Sequence, residues 1–234
     1  MAWVDTLSTA VDNVFSTSLT ERNGTVVPTT DSVTNSQAVK LNATFLYADL
    51  AGSAMLSRVC PWQTTAKIMR AYLDCTTRLI KAWGGEIRSF DGDRVMGVFV
   101  GDMKNTHATT CAREIFYTVE EILGPKATSK FDSIRNNGIK LKNGIGIDTG
   151  EARAVRAGIR NSNDLIWIGR APSLAAKLSD VRDYAYCVYI SEASYKALPD
   201  TSKQVGGKNI WVEQTFTFAG ESYKVYKTLH MKTP

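Results

Sequence analysis

Two aspartates are candidate ligands for a metal ion. Each of them borders an apolar, strand-like run and lies near a glycine. Asp49 ends the run in YADLAGS, and Asp93 follows the glycine in FDGDRVMGVF. A single acid at such a place is ordinarily a turn residue or a helix cap. Two acids on strands that can be neighbours suit Mg²⁺ or Mn²⁺, since these ions are held by one or two carboxylates plus substrate phosphates. The pair therefore predicts a divalent-metal site beside a phosphorylated ligand.

The segments around the acids predict a strand, a helix and a hairpin. The run ATFLYADL predicts a buried strand that delivers Asp49 at its end. A helix is expected from Trp62 to Trp83, where Gly84-Gly85 stops it. The run EIRSFDGDRVMGVFV predicts two strands joined by a turn at Asp91-Gly92.

The remaining segments continue the alternation of strands and helices. A second helix is expected from Thr106 to Leu123, and residues 139–159 are expected to form two strands around a turn at residues 148–150. Further along come a strand in DLIWIG, a helix from Ala171 to Leu178, a strand in AYCVYIS, a helix in SEASYKAL and a hairpin in FTFAGESYKVYKTL. This order predicts an α+β fold in which helices flank a mainly antiparallel sheet.

Residues 1–41 predict an extension that precedes a main domain at 42–234. The extension begins with a helix of amphipathic spacing and continues as a polar loop rich in Thr, Ser and Asn. This helix either packs on the domain or contacts a second subunit. The acidic N-terminus does not resemble a signal peptide, and no apolar run is long enough to span a bilayer. We therefore expect a cytoplasmic protein with no membrane partner.

Composition excludes several kinds of function. The formal net charge is +5, but the basic residues are scattered and no aromatic stacking pattern accompanies the densest set, Arg153, Arg156 and Arg160. This disfavours nucleic acid as a partner. Two histidines leave little basis for a histidine-based zinc site or a Ser/His/Asp hydrolase. The four cysteines show no paired spacing, which fits a reducing compartment.

Four motifs in order resemble the catalytic domain of class III nucleotidyl cyclases. They are F-x-Y-A-D-L-x-G-S, F-D-G-D-R-V-M-G-V-F, G-I-G-I-D-T-G-E and D-L-I-W-I-G-R-A-P-S-L-A-A-K-L, and the likeness covers about Ala43 to Leu198. The resemblance implies the cyclase fold and a head-to-tail homodimer with two identical sites. It also implies an enzyme that closes a nucleoside triphosphate into a 3′,5′-cyclic monophosphate.

The resemblance also implies roles for individual residues. Asp49 and Asp93 match the two metal-binding aspartates, and the carbonyl of Leu50 matches a third ligand for two Mn²⁺ or Mg²⁺ ions. In that scheme the ions activate the ribose 3′-hydroxyl and hold the phosphates. Ser173 and Lys177 stand where the family has an asparagine and an arginine that orient the ribose and neutralise the transition state.

Arg170, one turn before Ser173, is a further candidate for a phosphate contact. The small residues of the turn from Ala51 to Ala54 suit backbone contacts to the triphosphate.

The base-reading positions depart from both purine patterns. Ser89 and Ile166 occupy them, and neither the adenine-reading nor the guanine-reading pair is present. The remaining pocket candidates, Tyr47, Ser89, Ile166 and Trp167, favour a smaller ring. This is similar to the pyrimidine cyclases of bacterial Pycsar antiphage systems, whose cUMP or cCMP product activates a separate effector protein.

The resemblance favours UTP over CTP as the substrate, and residue chemistry alone does not separate the two. A purine cyclase with unusual base readers and an inactive, cyclase-like nucleotide-binding module stay open as alternatives. A purely structural module ranks last, because four ordered motifs would then have to match by chance.

Overall fold

The computed structural model describes residues 2–183 and 187–234, and the chain divides into two compact units. The larger unit comprises Asn42–Ala152 and Gly169–Pro234, and the smaller comprises Met1–Leu41 and Arg153–Ile168. Two long strands, introduced below as β2 and β5, contribute residues to both units. The division into an extension at 1–41 and a single domain at 42–234 stays a prediction.

The bounds of the helices and strands are as follows. The helices are α1 (Trp3–Ser16), α2 (Ser53–Val59), α3 (Trp62–Ala82), α4 (Lys104–Tyr117), α5 (Gly124–Lys130), α6 (Asp132–Asn136), α7 (Arg170–Ser179), α8 (Glu192–Lys196) and α9 (Asp200–Lys203). The strands are β1 (Thr20–Asn23), β2 (Gln37–Ala51), β3 (Glu86–Asp91), β4 (Arg94–Phe99), β5 (Lys142–Ile159), β6 (Ser162–Ile168), β7 (Val188–Ser191), β8 (Gln204–Val205), β9 (Lys208–Asn209), β10 (Val212–Phe218) and β11 (Glu221–Thr228). A 3₁₀ helix covers Thr30–Ser32, and a π-helical segment covers Thr118–Leu123.

The larger unit contains a sheet with the strand order β10-β11-β7-β5-β2-β4-β3. β5 and β7 run parallel, whereas the β10–β11, β11–β7, β2–β4 and β4–β3 pairs are antiparallel. Successive side chains of a strand point to opposite faces. Leu46 and Ala48 of β2 pack into a buried cluster with Ile80 of α3 and Ala108 and Cys111 of α4. These helices therefore cover one face, and the alternate residues of β2 point to the other face.

α7 packs on that second face of the sheet, at the end formed by β5, β7 and β11. Leu174 and Leu178 of α7 form a buried cluster with Tyr189 of β7 and Val225 of β11. The close approach depends on a glycine in β5, because a Cβ atom at Gly146 would lie 2.7 Å from the Cβ of Leu178 and closer still to the α7 backbone. The sequence thus places α7 by packing its apolar face against a position of β5 that carries no side chain.

The smaller unit contains two strand pairs and α1. β1 runs parallel to the first residues of β2, and β5 pairs antiparallel with β6 in the register Ile159↔Ser162. α1 confirms the predicted N-terminal helix, and its large apolar side chains are exposed. The prediction that the segment after α1 is only loop was wrong, because β1 uses the backbone hydrogen-bonding groups that the edge of β2 offers.

The predicted hairpin within residues 139–159 was also wrong, since β5 is one strand of 18 residues. Asp148 and Thr149 have side chains that are common in turns. In this fold, however, those side chains form hydrogen bonds within the strand and to neighbouring elements. The carboxylate of Asp148 accepts from the backbone N–H of Thr149 at 2.7 Å, and the hydroxyl of Thr149 lies 2.8 Å from that of Thr44. Tertiary hydrogen bonds therefore overrode the local turn signal.

The other predicted elements are confirmed with small shifts of their ends, except that the first two residues of the predicted strand AYCVYIS lie outside the described residues. The turn at Asp91-Gly92 joins β3 to β4, and Gly92 has the positive φ of +60° that favours glycine there. The predicted helix that ends at Leu123 consists of α4 and the π-helical segment. Within the described residues, no helix combines the length and the apolar character that crossing a membrane requires.

Candidate functional site

Asp49 and Asp93 lie side by side at adjacent ends of two neighbouring strands in the larger unit's sheet. β2 and β4 are antiparallel neighbours, and Asp49 is the register partner of Arg94, the residue that follows Asp93. The backbone N–H of Leu50 donates to the carbonyl of Asp93 at 3.4 Å. The expectation that the two acids belong to neighbouring strands is therefore confirmed, and the turn before β4 positions the second acid.

The carboxylate of Asp49 is buried and is held by two arginines. Its side chain forms a short ion pair with Arg182 and a longer one with Arg94, in which Nε lies 3.6 Å from Oδ1. Burial raises the pKa of Asp49; the charge of Arg94 opposes this rise, that of Asp93 adds to it, and Arg182 lowers it. The ionised form of Asp49 therefore needs positive charge beside it.

Asp93 supplies a second carboxylate, which has an unused oxygen. Its Oδ2 is buried and has no hydrogen-bond partner among the described residues. Over the same residues, no cluster of three or more His, Cys, Asp or Glu side chains is arranged to hold a metal ion. Two carboxylates and the carbonyl of Leu50 match the sparse protein donor set of ions that also bind substrate phosphates. The residues present fit a divalent cation, and the ligand roles stay predictions.

Two of the predicted base-pocket residues lie on one rung of the sheet beside the acids. Tyr47 of β2 and Ser89 of β3 are each the register partner of Met96 in β4, so their side chains share a face. The hydroxyl of Tyr47 donates to the sulfur of Met96 at 3.1 Å. Burial raises the pKa of Tyr47, against the lowering effect of Arg94, so the phenol stays a hydrogen-bond donor at neutral pH. This rung combines an aromatic, a thioether and a small hydroxyl.

The other two base-pocket candidates belong to the smaller unit. Ile166 and Trp167 of β6 are the register partners of Val155 and Ala154 in β5. The side chain of Ile166 is 48% exposed, which is high for an isoleucine in a strand and leaves it free to contact a ligand or a partner. Their role in recognising the base stays a prediction.

The predicted ribose and transition-state residues lie on the exposed side of α7. The hydroxyl of Ser173 donates back to the carbonyl of Gly169 at 3.2 Å. Nζ of Lys177 lies 3.5 Å from Oδ2 of Asp180, an exposed contact that contributes little to stability. Asp180 also pairs with Arg94, so an ionic chain runs from Lys177 to the carboxylate of Asp49.

Arg170 pairs with a buried acid rather than with Asp49 or Asp93. Its Nε lies 3.1 Å from Oδ2 of Asp148, whose side chain is completely buried. Burial raises the pKa of Asp148, while hydrogen bonds from Ser191 and the charge of Arg170 act in the opposite direction. The phosphate contact predicted for Arg170 stays a prediction, and the ion pair gives this residue a structural role as well.

Replacing Arg170 by methionine is expected to lower the free energy of unfolding by about 2 kcal/mol at neutral pH, because Asp148 loses its charged donor. The loss should shrink in urea unfolding as the pH is lowered, since burial raises the pKa of Asp148 and protonation removes the charge that Arg170 pairs with. Lys196→Met, which breaks an exposed pair to Glu192, is the control and should cost about 0.5 kcal/mol or less. Equal effects of both variants would remove the structural role of Arg170.

Two arginines beside Asp49 were not identified from the sequence. Arg94 directly follows Asp93 in the motif FDGDR, and its position there was a usable signal. Arg182 reaches Asp49 only because α7 and the turn after it pack on the sheet. Nothing in the local sequence marks Arg182 as a neighbour of residue 49.

Comparison of the sequence with curated proteins finds relatives that share one name. No protein-family model matches the chain. A protein of Rhodovulum sp. (strain MB263) named uridylate cyclase is 40% identical over 233 residues, which are 98% of this chain and 97% of the relative. A protein of Xanthomonas perforans with the same name is 39% identical over 219 residues, 92% of each chain.

Solved structures share the fold at much lower identity. The adenylyl cyclase CyaB from P. aeruginosa superposes with a TM-score of 0.67 over 83% of this chain and 97% of its own, at 19% identity. At this identity the likeness concerns the fold alone. The observed mixed α+β architecture, with its mainly antiparallel sheet, is the fold of these solved structures.

Proposed function

Because the chain belongs to the uridylate cyclases, a family of class III nucleotidyl cyclases, we propose that it converts UTP into 3′,5′-cyclic UMP and pyrophosphate. The observation that carries this proposal is the pair of adjacent carboxylates, Asp49 and Asp93, one of which keeps a buried oxygen without a partner. A pair of this kind suits divalent ions that also hold the substrate phosphates.

The proposed reaction is an in-line displacement at the α-phosphorus. The ribose 3′-oxygen forms a bond to phosphorus, the bond to the bridging oxygen breaks, pyrophosphate leaves and the hydroxyl proton passes to solvent. Two Mn²⁺ or Mg²⁺ ions supply Lewis-acid activation and charge neutralisation when bound. Asp49, Asp93 and the carbonyl of Leu50 would bind these ions. Lys177 would neutralise charge on the phosphate, and Ser173 would orient the ribose.

A head-to-tail homodimer is part of the proposal. Ser173 and Lys177 lie on an exposed side of α7, which makes them accessible to the substrate of a second copy. The exposed residue Ile166 is likewise available to such a copy. Two identical sites per dimer follow from the symmetry of the pair.

The base is proposed to be uracil, bound by Tyr47, Ser89, Ile166 and Trp167. None of these four carries a charge, and the rung of Tyr47, Met96 and Ser89 offers hydroxyl and thioether groups beside the acids. A rung with one aromatic ring and small polar groups suits a single ring better than a purine. The names of the curated relatives favour UTP over CTP.

We also propose the biological setting that the family likeness implies. The cyclic nucleotide would be a second messenger that activates a separate effector in Pycsar antiphage defence, within the cytoplasm. Its support is the likeness to pyrimidine cyclases, together with described helices that do not meet the requirements for crossing a membrane.

Incubation with ATP, GTP, CTP and UTP in separate reactions with Mn²⁺, followed by mass spectrometry, tests the substrate. We expect cyclic UMP from UTP at a rate at least about tenfold above that of any other product, since loss of a polar base contact is costly. The Asp93→Ala protein, purified in parallel, excludes a contaminating cyclase.

Each other outcome corrects a defined part of the proposal. Cyclic CMP as the main product would keep the pyrimidine pocket and change the base. A cyclic purine would keep the acids and overturn the assignment of Ser89 and Ile166. Substrate binding without any product would instead favour an inactive nucleotide-binding module.

A further inference from the structure

Tyr72 carries a buried hydroxyl that the fold does not satisfy. The residue lies on α3, its side chain is 1% exposed, and its Oη has no hydrogen-bond partner within residues 2–183 and 187–234. A hydrogen-bonding interaction with Thr76, one turn further along α3, lowers the pKa of Tyr72, but the two hydroxyls do not reach ordinary hydrogen-bond geometry. A buried donor without an acceptor lowers stability, so its retention requires a reason.

Tyr72 packs close to the strand end that carries Asp49. Tyr72 packs in one buried cluster with Leu50 and Leu56, and Leu50 is bound through its backbone N–H to the carbonyl of Asp93. Burial raises the pKa of Tyr72 well above its ordinary value, and the charges of Asp49 and Asp93 raise it further. The phenol therefore stays protonated at neutral pH and can act as a hydrogen-bond donor.

The acidic pair contains a hydrogen-bond acceptor without a partner among the described residues, which could accept from the hydroxyl of Tyr72. The two oxygens of Asp49 already face guanidinium groups, Oδ2 that of Arg182 and Oδ1 that of Arg94. Oδ2 of Asp93 is buried and lacks a partner. We propose that Tyr72 is a positioning residue whose hydroxyl donates to Oδ2 of Asp93 when the metal site is loaded.

The hydrogen bond would fix the direction in which Asp93 presents its other oxygen. Carboxylates that ligate a metal are commonly oriented by such outer donors, and losing one typically costs about 10- to 100-fold in metal affinity. The inference rests on the proposed function, since it assumes that Asp93 is a metal ligand. It adds a residue from α3, an element that carries none of the cyclase-like motifs.

Tyr72→Phe tests the proposal, because it removes one oxygen atom and keeps the ring in the core. The purified protein is titrated with Mn²⁺ in the presence of 3′-deoxy-UTP, which lacks the attacking hydroxyl, and free Mn²⁺ is followed by its electron paramagnetic resonance signal. We expect the midpoint to rise about tenfold. The midpoint of thermal unfolding without metal should stay unchanged or rise, because an unsatisfied polar group is removed.

Tyr189→Phe is the matched control, because Tyr189 is equally buried but its hydroxyl reaches Asp183 on the α7 side of the sheet. This variant should bind Mn²⁺ as the wild type does. A Tyr72→Phe midpoint within about twofold of wild type, beside an Asp93→Ala protein that has lost binding, would overturn the role of Tyr72 and keep the metal site. Wild type and Asp93→Ala binding Mn²⁺ equally would overturn both.

Discussion

The Asp93→Ala protein is expected to lose at least about a thousandfold in cyclase activity and to unfold at the same temperature as the wild type. Metal ions supply several kcal/mol of transition-state stabilisation, and about 4 kcal/mol corresponds to three decades in rate. The fold should tolerate the change, because Oδ2 of Asp93 makes no hydrogen bond in the described structure. Steady-state rates with UTP and Mn²⁺, together with thermal unfolding, measure the two effects.

Asp91→Ala is the matched control for this prediction. Asp91 belongs to the same tight turn, but its side chain is exposed and it has no predicted role in metal binding. Its loss should therefore leave the rate within a few-fold of wild type, as surface changes usually do. Substantial turnover by Asp93→Ala would remove the metal-ligand assignment. A similar loss in both variants would instead point to a distorted hairpin.

Asp49→Ala is expected to be as inactive as Asp93→Ala. Its effect on stability should differ, because Arg182 and Arg94 lose the carboxylate that they share. Asp93 is thus the cleaner of the two positions for separating catalysis from folding.

The strands and the turn that carry Asp49 and Asp93 were predicted correctly from local sequence. The turn at Asp91-Gly92 is encoded by two adjacent residues, and it places Asp93 at the start of β4. The strand that ends at Asp49 is marked by its apolar run. The sequence could therefore predict that the two acids are neighbours. The strand and the turn that carry them are each marked by local residues and do not depend on the rest of the chain.

The errors and omissions arose where distant residues decide the local structure. Residues 148–150 have the composition of a turn, but Arg170 and Thr44 provide hydrogen-bond partners for Asp148 and Thr149 within one continuous strand. Arg182 was missed for the same reason, since it approaches Asp49 through the packing of α7. Short-range patterns carry no information about such partners.

The packing of α7 leads to the second large effect. Gly146→Ala is expected to lower the free energy of unfolding by about 3 kcal/mol or more, because the added Cβ would collide with the carbonyl of Ala175 and the N–H of Ser179. Backbone atoms of a packed helix cannot turn aside as a flexible side chain can. Since whole domains are stable by only about 5–15 kcal/mol, urea unfolding at neutral pH should show the loss clearly.

Gly150→Ala provides the comparison within the same strand. A Cβ there would meet the Cβ of Ala171 at 3.5 Å, an ordinary contact, and the position has no positive φ. This change should cost about 0.5 kcal/mol or less. If Gly146→Ala proved as stable as Gly150→Ala, α7 would not be held against β5 as closely as described. If Gly146→Ala folds but loses activity more than stability, the displacement of α7 has moved Ser173 and Lys177, which ties the helix position to the chemistry proposed for them.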